Sequence, residues 1–96
     1  MSVFFIGTAN VKGPVKFQEY GVKAMQTFPT FDGKVMMRGK TDQVLTGKSG
    51  NQGAVVVRFP NMDALKNWFN SEEYQALIPL HDVAADLNIM SYAEPI

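Results

Sequence analysis

The chain has 96 residues, nine Lys and Arg against nine Asp and Glu, 46% hydrophobic residues and no cysteine. This length suits one domain spanning residues 1–96, and a neutral chain without a basic cluster lacks the electrostatic footprint of a nucleic-acid binder. The missing cysteines exclude a disulfide framework, a thiolate nucleophile and a thiolate metal site. A domain this small keeps roughly 5,500 Å² of surface exposed when folded, so its core is thin.

The apolar run Val3-Phe4-Phe5-Ile6 is too short for a signal peptide and has no basic segment before it. No stretch approaches the roughly 20 apolar residues of a membrane span. The expected location is cytoplasmic, with neither membrane nor nucleic acid as a partner.

In chain order, Val3–Ala9 reads as a strand. Pro14 suits a first helical position, and Phe17, Tyr20, Gly21, Ala24, Met25 and Phe28 repeat at the spacing of one helix face. A helix is predicted from about Pro14 to Phe28, where Pro29 disfavours helical backbone at the residue before it. Asp32-Gly33 turns the chain into a strand over Lys34–Arg38. Residues Thr41 to Gln52, rich in Gly, Thr, Ser, Asn and Gln, read as a long hairpin loop or flap. Ala54–Phe59 is a dense β-branched strand. Asn61 is placed to cap a helix over Met62–Phe69, and Ser71 to cap a shorter one with Glu72 and Glu73 in its first turn. Pro79 is expected to break that helix. Leu80–Asp86 adds a turn or two, and Leu87–Ala93 closes the chain as a strand.

The order β-α-β-β-α-β is the ferredoxin-like pattern of an α+β fold: a four-stranded antiparallel sheet with helices on one face. Such a sheet should alternate apolar and polar residues where its other face is wet. Val3-Phe4-Phe5-Ile6, Val35-Met36-Met37 and Ala54-Val55-Val56-Val57 do not alternate. No second helical layer is available to cover that face. The expected cover is the sheet of a second copy, giving a homodimer.

Candidates for chemistry are few. His81 is the one histidine, so a dedicated zinc site is not expected; it reads either as a surface or half-buried histidine capping a helix or as a general acid–base or hydrogen-bonding group. Arg38 and Arg58 sit at the ends of apolar strand segments. Each needs an acid or an anion as partner, and the guanidinium fork suits a ligand carboxylate. Trp68 and Phe69 follow Leu65 at helical spacing, which makes them core first and pocket wall second. Tyr20 and Tyr74 carry polar tips able to orient a ligand. Ser71 is a cap, with no Gly-x-Ser-x-Gly elbow around it to make it a nucleophile. Gly47-Lys48-Ser49-Gly50 lacks the preceding glycine of a phosphate-binding loop.

Phe59-Pro60-Asn61 with Ala64, then Trp68-Phe69-Asn70-Ser71-Glu72-Glu73-Tyr74-Gln75, resembles the family called domain of unknown function 1330. Its members show a Phe-Pro-Ser-like strand end and a Trp-Tyr-x-Ser-x-Glu-Tyr run. Gly33-Lys34-Val35-Met36-Met37-Arg38-Gly39 is similar to that family's glycine–basic–apolar strand ending in Arg-Gly, and Leu45-Thr46-Gly47 to the turn after it. The chain departs at His81, where the family usually has Arg, at Asn61 for Ser, at Phe69 for Tyr, and at Lys40 for a second Gly. The resemblance implies a ferredoxin-like dimeric α+β barrel. Its structural relatives include small cofactor-independent monooxygenases, isomerases and lyases. On this reading a small organic molecule binds in each subunit without cofactor or metal. His81 acts as acid–base and Arg38 as anion anchor, with Tyr20, Trp68, Asn70 and Tyr74 lining the site. The alternative is a non-catalytic structural or ligand-binding dimer module.

Overall fold

The computed structural model describes residues 3–94. The elements run β1 (Val3–Val11), α1 (Pro14–Met25), β2 (Lys34–Lys40), β3 (Gly53–Phe59), α2 (Met62–Phe69), α3 (Glu72–Gln75), α4 (Ile78–Ala84) and β4 (Ala85–Ala93), with a 3-10 turn between α1 and β2. The sheet order is β2-β3-β1-β4, antiparallel at every pairing. This is the expected ferredoxin-like α+β arrangement.

The helices cover one face of the sheet. Val3, Phe5 and Ala9 of β1 and Val57 and Phe59 of β3 point into that side. All but Ala9 join one cluster with Tyr20, Ala24, Phe28, Leu65, Trp68 and Tyr74. The Phe5 ring stacks on Trp68 at 4.8 Å between centroids, and Phe28 and Phe59 close around the same indole. Aromatic area thus supplies most of a core that the small chain could not build from aliphatic residues alone. The opposite face carries Phe4, Ile6, Met37, Val56, Met90 and Tyr92, and Ile6 lies directly across from Met90.

A bulge at Met36 changes the side on which β2 displays its residues. Val35 pairs with Val57, yet Met37 pairs with Val56 and Arg38 with Val55. One extra residue flips every later side chain, because strand side chains alternate with a period of two. Arg38 therefore faces the helices, and Met37 joins the uncovered face.

Several predicted boundaries move: β1 runs on to Val11, β2 to Lys40, and β3 starts at Gly53. The first helix stops at Met25 instead of Phe28. Thr27 folds back, its hydroxyl donating to the Ala24 carbonyl at 2.6 Å, and a 3-10 turn follows over Pro29–Phe31. Phe28 keeps helical dihedrals despite Pro29, so the proline opens that turn and does not itself end the helix. Pro79 likewise lies in the first turn of α4, where its missing N–H costs nothing, while α3 has already ended at Gln75. As a result β4 begins at Ala85 and takes in Asp86, both of which the prediction assigned to the preceding helical piece. The Asn61 and Ser71 caps form as expected, accepting from the backbone N–H of Ala64 and Tyr74.

Residues 41–52 hold no helix or strand, but their root is tied down. Thr41 N–H donates to Gln52, Gln52 N–H to Ala9, and the Gln52 side chain accepts from Val11 N–H. Among the described residues, no helix is long and apolar enough to cross a membrane.

Candidate functional site

Two features of α1 and the broken second helical layer build the site. Tyr20 stands on the buried face of α1. Tyr74 stands on α3, whose abrupt start at the Ser71 cap turns its ring inward. Their hydroxyl oxygens lie 2.8 Å apart. Burial raises the pKa of both phenols above the ordinary tyrosine value. The charge of Tyr74 and its hydrogen bond raise Tyr20 further, while the bond from Tyr20 partly offsets the rise at Tyr74. Both groups are therefore neutral donors at physiological pH.

His81, on α4, packs its ring edge-on to Tyr20 with centroids 5.6 Å apart. Its side chain is 17% exposed, and Nδ1 lies 3.1 Å from Asp82 Oδ1. A carboxylate only accepts, so Nδ1 carries the proton toward Asp82 and Nε2 keeps its lone pair in the neutral imidazole. Lys12 closes this corner, donating to the Asp82 carbonyl at 2.6 Å and pairing with the Asp86 carboxylate at 3.6 Å. An open groove of about 450 Å³ runs here, lined by Lys12, His81, Asp82, Asp86, Leu87 and Asn88. A shallower depression on the outside of α1, bordered by Val15, Gln18 and Val22, holds only the Glu19–Lys23 ion pair.

The six residues singled out from sequence do not gather at one place. Tyr20, Tyr74 and His81 form a continuous chain of contacts. Trp68 lies against Tyr74 at 4.4 Å but is 1% exposed, with Nε1 donating to Thr27 Oγ1 at 2.7 Å. It is a core residue at the back of that chain. Asn70 is the exposed C-cap of α2. Arg38 is exposed, directs NH1 to the Met25 sulfur at 3.1 Å, and lies over Gly21. It has no carboxylate partner among the described residues, and no contact joins it to His81.

Sequence reasoning missed Lys12, Asp82 and Asp86 as neighbours of His81. Lys12 reaches them only because the antiparallel β1–β4 pairing brings Val11 opposite Ala85. The adjacency of Asp82 to His81 was the one legible signal. Among the described residues, no three His, Cys, Asp or Glu side chains gather to hold a metal ion.

The sequence profile of the family described as "Domain of unknown function (DUF1330)" matches residues 2–93. The chain belongs to that family. No curated protein matches it by sequence. Among solved structures, it is similar to RPA0582 of Rhodopseudomonas palustris, a protein of unknown function. The TM-score is 0.78 at 15% identity, over 98% of this chain and 84% of that one. It is also similar to a dimeric ferredoxin-like protein of unknown function from Jannaschia sp. CCS1. There the TM-score is 0.78 at 8% identity, over 98% of this chain and 100% of that one. A third is SnoaB, a cofactor-independent oxygenase from Streptomyces nogalater. Its TM-score is 0.72 at 11% identity, over 99% of this chain and 94% of that one. At these identities the likeness establishes the DUF1330 chain as ferredoxin-like in fold, and nothing finer.

Proposed function

We propose that this DUF1330 protein is a cytoplasmic homodimer that binds a small organic molecule in each subunit at His81. The observation that carries the reading is the position of that histidine. It stands between an open groove and a buried tyrosine pair, with one ring nitrogen oriented by a carboxylate. A base oriented by an acid and backed by neutral O–H donors is equipped for cofactor-free proton transfer. A cofactor-independent oxygenase with the same fold shows that such a scaffold supports chemistry without a cofactor, by fold analogy alone. Within this reading Arg38 is a separate anion contact, since it sits over α1. Trp68 supports Tyr74 from behind. Asn70 is the member of the set with least to recommend it, because its place at the end of α2 is exposed.

The dimer half of the proposal rests on the uncovered sheet face. The molecule is a slab of 32 × 31 × 15 Å exposing 6487 Å². That is about 1,000 Å² more than a compact chain of this mass keeps, and the apolar sheet face contributes to the difference.

The competing reading is a structural dimer with no ligand. It is favoured by the complete burial of Tyr74 and the near-complete burial of Trp68, which suit core packing. Thermal-shift screening against a library of small organic acids and aromatics separates the two. Ligand site: at least one compound raises Tm reproducibly, and His81→Asn removes the effect. Structural dimer: no compound does so, or His81→Asn leaves every shift intact.

A further inference from the structure

The strand register lays out the uncovered sheet face in rungs. Lys34, Arg58, Phe4 and Tyr92 stand side by side across the four strands. The next rung is Met37, Val56, Ile6 and Met90, and the third is Gly39, Ala54, Thr8 and Asn88. Asn10 and Asp86 belong to a fourth. Successive rungs lie about 6.8 Å apart, because side chains return to one face at every second residue. The first two rungs carry long side chains, and Met37, Met90 and Tyr92 are among the most exposed hydrophobic residues of the sheet. The third is low, built largely of Gly, Ala and Thr. The groove at His81 opens beside this low end. β4 is an edge strand, and the groove wraps around its start. Asp86 and Asn88 line it from the uncovered face, His81 and Leu87 from the helical side.

Resting on the dimer and the His81 site proposed above, we infer that a second copy of the chain completes each groove with its own Tyr92. A second copy covers this face about a two-fold axis, and the rungs discriminate between the choices. An axis along the strands lays long rungs on long and short on short, which leaves the third rung hollow. It also sets Asp86 against the corner where Asp42 follows β2, carboxylate facing carboxylate. A diagonal axis crosses the sheets and seats Ile6 or Val56 on its own counterpart, again long on long. An axis across the strands lowers Met37, Val56, Ile6 and Met90 onto the small third rung of the other copy, the complementarity that a packed interface needs. This is the aligned class of sheet packing. The charges agree with it. Lys34, which makes no ion pair among the described residues, then faces Asp42 of the partner subunit. Glu94, exposed beyond the end of β4, comes to the side where Lys12 of the partner subunit lies. The first rung meets the fourth, so Tyr92 of the partner subunit stands over Asp86 and closes the open side of the groove. The site is then built from both chains, with His81, Asp82 and Lys12 from one and a phenol ring from the other.

Isotope-filtered nuclear Overhauser spectra of the wild-type protein test this, on a sample in which one copy is labelled and the other is not. Sedimentation of the same sample reports its oligomeric state. The Tyr92 ring should show contacts between chains to Asp86 and Asn88, and the Ile6 methyls to Thr8. A dimer in which Tyr92 instead meets Lys34 or its own counterpart, or makes no contact with Asp86, overturns the inference and leaves the dimer standing. A monomer at the concentration of the spectra removes both. The ligand site is judged apart from either, by the thermal-shift screen and its His81→Asn control. Charge reversal gives a second measurement on two exposed positions where folding is not at stake. Lys34→Glu should raise the dimer Kd by about threefold or more, and adding Asp42→Lys should recover most of that loss. A single reversal without effect, or a double reversal without recovery, also overturns the arrangement.

Discussion

Two buried phenols that share a hydrogen bond are each other's solvent. Removing one hydroxyl by Tyr20→Phe strands the other at full burial, which costs about 1–3 kcal/mol. Tyr74→Phe should cost a similar amount. Removing both should cost less than the two single changes together, a non-additivity that a double-mutant cycle in urea reads directly. The pair also sets an alkaline limit on stability. Both folded-state pKa values lie above the unfolded value of about 10, so the stabilisation is complete below pH 10. Above it the unfolded chain ionises while the native pair stays protonated. Stability then falls by up to about 1.4 kcal/mol per pH unit for each tyrosine. Unfolding midpoints between pH 9 and 11 should therefore drop more steeply for the wild type than for the double variant. Parallel curves would show that the pair does not govern this limit.

The turn between the 3-10 segment and β2 depends on how closely backbone approaches ring. Asp32 takes a left-handed conformation at φ 61°, and Gly33 follows it. A Cβ on Gly33 would meet the Phe59 ring at 2.8 Å and Phe28 Cβ at 3.2 Å. Both rings are wedged around Trp68 and cannot retreat. Gly33→Ala should thus destabilise by about 1–3 kcal/mol through overpacking, with no effect on oligomeric state. Thermal unfolding beside sedimentation checks both halves. The bulge at Met36 works at the same scale with the opposite outcome, since it inserts a residue without strain and redirects Met37 and Arg38 to new faces. A strict period of two, as read from Val35-Met36-Met37-Arg38, places Arg38 on the uncovered face, and no residue type in that run announces the bulge.

For the whole molecule, the uncovered face of the sheet is the feature to explain. Ile6 and Met90 sit across from each other at 36% and 57% exposure, with Met37 at 48% and Tyr92 at 44% nearby. If a second copy covers them, the protein sediments at twice its 10.6 kDa chain mass. Met90→Asp buries a charge at the seam and should shift the species toward the monomer, with the helical circular dichroism retained. A wild-type monomer at micromolar concentration, or a dimer unaffected by Met90→Asp, would contradict this arrangement.

The local pattern of the chain determined much of this protein. Proline, asparagine and serine placed the helix starts, because their chemistry acts within a few residues. Unbroken runs such as Val3-Phe4-Phe5-Ile6 announced a sheet with two apolar faces, because alternation is a property of neighbours. Family membership was legible in Phe59–Gln75 for the same reason. What only the tertiary structure decided are meetings across long separations. Tyr20 finds Tyr74, Lys12 finds Asp86, and Trp68 finds Thr27. Each contact depends on strand register and on helix ends that moved by a few residues. A shift of one residue turns a side chain to the opposite face of a strand, or through about 100° around a helix. That sensitivity is why Tyr20, Tyr74 and His81 come together while Arg38 and Asn70, equally plausible in the sequence, stand apart.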